Sequence, residues 1–169
     1  STLFPYTTLF RSNLRGGYAL LFHGVRNGQR GYTSDIDTCT PDYLQEVKDT
    51  IHQIANELHL EKEWLNNDMV LEDTETVEDM LDAFWLPQDI GLKNIELYIA
   101  DEETLTNAKI MASDDVELTG RFQDPLDMID LIKHQNLETL EDFEMDYPNT
   151  RYEFPNAFKI IQKYYAGKI

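Results

Sequence analysis

Of the eight glycines in this 169-residue chain, only Gly16 and Gly17 are adjacent, and that pair narrows what the N-terminal part can become. Two residues without a Cβ permit backbone conformations and close approaches that a side chain would block. Tyr18 to Gly24 reads as a short helix opening directly after the pair. Its first N–H groups would have no partner in the helix and would form a ready anion site. Further on, Thr33 to Thr40 is short and rich in Thr and Ile, the composition of a strand. That segment carries Asp35-Ile36-Asp37. In a strand, residues two apart share a face and lie about 6.6 Å apart along the backbone. Carboxylates so placed can converge on a metal pair roughly 3.5–4 Å apart.

The carboxylate triplet has little weight as a count. Acidic residues fill 32 of 169 positions, so acid-x-acid spacings arise roughly 6 times from composition alone. Context gives the triplet its meaning: a strand, and a glycine turn into a helix upstream. Hard oxygen ligands suit Mg2+, which keeps waters and substrate phosphates as its other partners. An ordinary strand–helix turn at Gly16-Gly17 is the plain alternative, and the glycine pair by itself would favour it.

The rest of the chain alternates strand and helix patterns, an α/β composition with few strands and many helices. Asn27 to Gly31 is a loop. Thr40-Pro41 has the form of an N-cap and first helical residue. The helix after it carries Leu44, Val47, Ile51, Ile54, Ala55 and Leu58 on one stripe, with Glu46, Lys48, Asp49, Gln53 and Glu57 opposite. Thr76 with Asp79 resembles a capping arrangement before Val77, Met80, Leu81 and Phe84, a helix that Pro87 is expected to end. Asn94 to Ala100 alternates with the period of a half-buried strand. Leu105, Ala108 and Ala112 define a helix from near Asp101. Asp124-Pro125 reads as the cap of another, and residues 137–146 and 155–166 as two more.

Residues 2–12 resemble the in-frame translation of a short-read sequencing adapter, so residues 1–12 are set apart as an artefactual segment. The authentic N-terminus, a leading helix and most of a first strand are then expected to be missing. Residues 13–169 have the size of a single domain, divisible into 13–100 and a helical part at 101–169. No apolar run reaches the roughly 20 residues needed to span a bilayer. The lone Cys39 excludes an internal disulfide, speaks against a disulfide-linked partner and fits a cytoplasmic location. Acidic residues outnumber Lys and Arg by 32 to 14, a net charge of −18. Such a chain repels phosphate backbones at long range. Solubility is the plain reading of that charge; a basic partner, or a substrate docked through a local basic patch, is the functional one.

Several segments follow one another in a familiar order: Gly16-Gly17-Tyr18-Ala19-Leu20, Arg26, Thr33-Ser34-Asp35-Ile36-Asp37, Trp64-Leu65-Asn66, Leu105 with Lys109, and Asp124-x-x-Asp127. In this the chain resembles the AbiEii-type nucleotidyltransferases, many of them toxins of toxin–antitoxin or abortive-infection systems. The resemblance spans most of residues 13–135. It implies a polymerase-β-like fold: a small mixed sheet, helices packed on one face, and a helical C-terminal part. It implies an Mg2+-dependent transfer of a nucleotide from an NTP to an RNA or protein acceptor, with an antitoxin as a possible partner. On that resemblance Asp35 and Asp37 would bind Mg2+ and position the triphosphate, while Gly16, Gly17 and Ser34 would lie against its phosphates. Lys109 would neutralise triphosphate charge, and Asp124 would orient or activate the acceptor. Asp127, one turn on, reads as structural.

Departures from the family pattern are specific. The spacing from Gly17 to Asp35 exceeds the general motif, with the loop at 27–31 holding the excess. The third metal carboxylate is Glu96 by strand phase, or else Glu96 is a solvated strand residue. Lys109 also reads as a surface lysine. His23, His52, His59 and His134 show no metal spacing with Cys39, and Trp64 and Trp85 read as core residues. Two functions therefore stand side by side: an active nucleotidyltransferase, and a catalytically inactive relative that binds nucleotide or another protein. A purely acidic interaction protein ranks behind both.

Overall fold

A computed structural model of the chain describes residues 10–14, 16–26, 36–38, 43–66, 85–88 and 95–169. The chain divides into two compact units, one formed by Ser1–Ala19 with Gly28–Asp101, the other by Leu20–Asn27 with Glu102–Ile169. Helices dominate and strands are few, so the mixed α/β class holds at that level. No described helix is long and apolar enough to cross a membrane.

In the first unit, β1 (Phe10–Leu14), β4 (Trp85–Gln88) and β5 (Ile95–Ala100) form a three-stranded sheet in the order β1-β5-β4. β5 is central, parallel to β1 and antiparallel to β4. Three of the five β1 residues belong to the adapter-like segment. Ladder pairing uses backbone N–H and C=O groups that every residue except proline carries. Such a segment can therefore pair whatever its origin. The strand expected at Asn94–Ala100 is present, and it carries Ile99 and Ala100 fully buried. Pro87 lies within β4. Proline lacks a ladder donor and is confined to edge strands, and β4 is the edge of this sheet. The helix expected at Val77–Phe84 lies outside the described residues.

A second, two-stranded parallel pair joins β2 (Ile36–Asp37) to β3 (Leu65–Asn66), with Asp37 in register with Asn66. Buried Thr38 extends it. Its N–H and its hydroxyl both donate to the Asn66 carbonyl, at 3.0 and 2.8 Å, and the hydroxyl also bonds the Tyr43 hydroxyl at 2.5 Å. The long helix α2 (Gln45–Leu58) starts later than Thr40-Pro41 implied, with Leu44 at its N-cap and no side-chain cap. Residues 39–42 lie outside the description. Ile51 and Ala55 are buried as the stripe requires, whereas Leu44 and Leu58 are exposed. Leu44 has extended backbone ahead of the first turn, so the helical phase does not reach it. Trp64 packs back on this helix, its indole N–H donating to the Ile51 carbonyl at 3.1 Å.

The helix α1 (Gly16–Phe22) begins at the glycine pair, two residues earlier than Tyr18. Its exit belongs to the second unit. There Gly24 takes a left-handed φ of 74°, and Val25 and Arg26 N–H both return to the Leu20 carbonyl. The remaining elements are α3 (Glu102–Asp114), α4 (Val116–Thr119), α5 (Gln123–His134), α6 (Leu140–Asp146), α7 (Thr150–Glu153) and α8 (Pro155–Tyr165). α3 packs on α5 and α8. The core between them holds Ile110, Met128, Ile132, Phe143, Phe158 and Ile161.

Polar ties set the helix ends. Asp114 at the end of α3 accepts the Asn156 and Ala157 N–H groups at 2.7 and 3.0 Å, serving donors that the start of α8 leaves unpaired. A half-buried relay runs from the Tyr147 hydroxyl to Gln135 at 2.7 Å, from Gln135 to the Thr106 hydroxyl at 2.6 Å, and on to the Glu102 carbonyl at 2.7 Å. α6 opens on a reciprocal capping box between Thr139 and Asp142.

Two predictions follow from these contacts. Thr139→Ala removes the hydroxyl of the capping box and should lower the unfolding free energy by about 1 kcal/mol in urea titrations. At high pH, burial pushes the Tyr165 phenol from 10.0 up to about 12, with Tyr164 and Asp142 adding to the rise. Its hydroxyl donates to the Leu137 carbonyl at 2.9 Å. The folded state holds that proton more tightly than the unfolded chain does. The stabilisation is therefore complete below the unfolded value of 10.0 and is lost as pH climbs towards about 12. Burial also raises Tyr147, against hydrogen bonds with Thr106 and Gln135 that lower it. Ultraviolet titration should show two late phenols, and Tyr165→Phe should remove one of them and flatten the loss of stability in that window.

Candidate functional site

Helix periodicity in the second unit brings together residues far apart in sequence. On α5, positions 124, 127, 128 and 131 lie on one face, and all four are buried. Met128 and Leu131 of that face enter apolar packing. Asp124 and Asp127 cannot do so without cations, because an unpaired buried carboxylate is strongly disfavoured. α3 supplies one cation, Lys109, and the exit of α1 supplies another, Arg26.

The resulting geometry is close and ordered. Lys109 Nζ stands 2.5 Å from Asp124 Oδ1 and 3.4 Å from Asp127 Oδ2. Arg26 grips both oxygens of Asp127, with Nη2 at 2.5 Å from Oδ2 and Nε at 3.3 Å from Oδ1. Gln123 Nε2 donates to Asp127 Oδ1 at 2.9 Å. The side chains of Arg26, Lys109, Asp124 and Asp127 are 10, 11, 3 and 1 % exposed. Two buried cations thus meet two buried anions in a neutral quartet.

One atom of the quartet stands apart. Asp124 Oδ2 is buried and accepts no hydrogen bond. Arg121 Nε lies 3.3 Å from it, within ion-pair range but not aligned to donate, and Arg121 is largely exposed. Arg121 lies in the loop between α4 and α5, where Gly120 takes a left-handed φ of 68°.

The residues singled out from the sequence divide into three groups. Lys109 and Asp124 meet directly. Asp124 does not cap α5 as expected; Phe122 occupies the N-cap position, and the carboxylate turns to Lys109. Gly16 and Gly17 open α1 immediately after β1, and Asp37 sits in β2. Glu96 lies in central β5, in register with Arg11. Ser34 and Asp35 lie outside the described residues.

The sequence reading missed Arg121 and Gln123; it took Asp127 as structural without naming Arg26 as its partner. Lys109 is not a surface lysine. The signal available was the i, i+3 spacing of Asp124 and Asp127 on a face that also carries Met128 and Leu131, an acidic pair where apolar residues belong. His23 and His134 both approach Glu102, at 3.8 and 3.0 Å, on another part of the unit. Among the described residues no group of three His, Cys, Asp or Glu is placed to hold a metal ion. Comparison with protein-family models, with curated proteins and with solved structures finds no match.

Breaking the quartet from one side leaves a buried uncompensated charge. Asp127→Ala strips Arg26 of its partner and is expected to cost about 3–5 kcal/mol of stability. Arg121→Ala, at an exposed position, should stay within about 0.5 kcal/mol. Chemical denaturation of both variants checks the contrast.

Proposed function

We propose that this chain is an Mg2+-dependent nucleotidyltransferase that moves a nucleotide from an NTP to a hydroxyl of an RNA or protein acceptor, as the toxin of a toxin–antitoxin pair would. The observation that carries the reading is the Lys109–Asp124 contact. Two residues assigned to one site on the resemblance alone lie 2.5 Å apart and buried, and Asp124 keeps one buried oxygen without a hydrogen bond. An oxygen of that kind suits the acceptor hydroxyl, whose O–H would donate to it. The order strand, glycine pair, helix at β1 and α1 agrees with a turn that lets phosphates approach the backbone.

The donor set for the metal is the carboxylate pair Asp35 and Asp37, and their hard oxygens match Mg2+. Asp37 lies in the extended backbone of β2, and Asp35 lies outside the described residues. Asp124 and Asp127 do not suit the metal, since Lys109 and Arg26 already neutralise them. When bound, Mg2+ supplies charge neutralisation at the triphosphate.

In the reaction, the acceptor oxygen forms a bond to the α-phosphorus while the bond to pyrophosphate breaks. On the resemblance, Gly16, Gly17 and Ser34 would hold phosphate oxygens, and Lys109 would neutralise triphosphate charge. Asp124 would orient the acceptor and draw its proton. Catalysis then rests on positioning and electrostatics.

Two observations favour the alternative, a catalytically inactive relative that binds nucleotide or a protein. Lys109 is already shared between two carboxylates, and a net charge of −18 repels an RNA acceptor. Purified protein incubated with Mg2+, each labelled NTP and either cellular RNA or cellular protein decides between them. Transfer of label that Asp37→Asn abolishes is the expected result. Nucleotide binding by calorimetry without transfer would favour the inactive relative, and a folded protein that binds no NTP would sink both nucleotide readings and leave only the protein-binding one.

A further inference from the structure

We infer that Arg26, acting through Asp127, is the positioning residue that sets Lys109 against Asp124. The inference rests on the reading of Lys109 and Asp124 as site residues. Lys109 ends in a compact ammonium on a flexible four-carbon stem, and two carboxylates lie within its reach. Nothing in the stem itself selects one of them, yet the ammonium stands 2.5 Å from Asp124 and 3.4 Å from Asp127.

Arg26 accounts for the difference. Its guanidinium fork takes both oxygens of Asp127, with the shorter contact on Oδ2, the same oxygen that faces Lys109. Gln123 adds a donor to Oδ1. Asp127 therefore already holds three donors, and the stronger remaining attraction for an ammonium lies at Asp124. Because the members are buried, salt screens these attractions little.

With Arg26 neutral, Asp127 becomes the stronger anion and draws Lys109 away from Asp124. With lysine at position 26 the charge remains but the fork is lost. One oxygen of Asp127 is then held where two were, and the displacement of Lys109 is partial. A residue that merely tethered the exit of α1 would do neither.

The test combines side-chain NMR with kinetics. In protein labelled with 15N-lysine, the Lys109 ammonium resonance is assigned by its loss in Lys109→Arg. Arg26→Gln is expected to shift that resonance while Lys133 and Lys159 stay in place, and Arg26→Lys to shift it less. In the transfer assay, kcat is expected to fall by roughly tenfold to a hundredfold in Arg26→Gln. The NTP KM should change less, and Arg26→Lys should recover part of the rate. Should Arg26→Gln not fold, Arg26→Lys carries the same comparison against wild type. A wild-type protein that binds nucleotide, with Lys109 unmoved in the variants, would overturn the positioning role alone. A tether would give that result together with a lowered melting temperature. Wild-type protein that binds no nucleotide would overturn the site reading itself, whatever the resonance does.

Discussion

Four charges taken out of water must be matched almost one for one, and in the second unit that requirement links three segments distant in sequence. Arg26 and Asp127 are separated by 101 positions, Lys109 and Asp124 by 15. Each aspartate is close to fully buried, so neither is tolerable without its cation. A well-packed apolar quartet of similar volume would often be as stable or more so. What the charged version adds is discrimination: a slipped α5 would set its carboxylates against apolar residues of α3 such as Ile110. The apolar core shared by α3, α5 and α8 supplies the bulk of the burial. The quartet selects one register for it.

The same arrangement reconciles two facts about the charge. A chain of net −18 is a poor environment for a triphosphate at long range. At short range, the second unit concentrates Arg26, Lys109 and Arg121 around two aspartates, a local excess of one positive charge. Lys109 is held in place and is not free to sweep the surface, which favours preorganised electrostatics over steering. The exposed Arg121 lies at the edge of the group. The buried Asp124 Oδ2 accepts no hydrogen bond, and Arg121 Nε stands 3.3 Å from it.

Much of the architecture was legible from periodicity. The alternation over Asn94–Ala100 and the stripe through Ile51 and Ala55 each reflect which face is buried, and burial is what residue choice records most directly. Other features left no local trace. Pro87 reads as a helix stop in any window, and only the edge position of β4 makes a strand acceptable there. Asp124 before Pro125 has the form of a cap; its partner Lys109 lies on another helix, and no rule of local capping includes that competitor. The Arg26–Asp127 pair was the least legible of all. An arginine after a short helix looks solvated until the fold brings α5 beside it. The order of Lys109 and Asp124 was noticed only through a family resemblance.

The account turns on whether Arg26 and Asp127 act as one unit within a buried network. A double-mutant cycle of unfolding free energies, with Arg26→Gln, Asp127→Asn and the pair together, measures this directly. The account predicts a coupling of about 2 kcal/mol or more, near the upper part of the range for contacting charged residues. The double variant should be less damaged than the sum of the single ones, because removing both charges leaves neither stranded. Additivity within about 0.5 kcal/mol would contradict it.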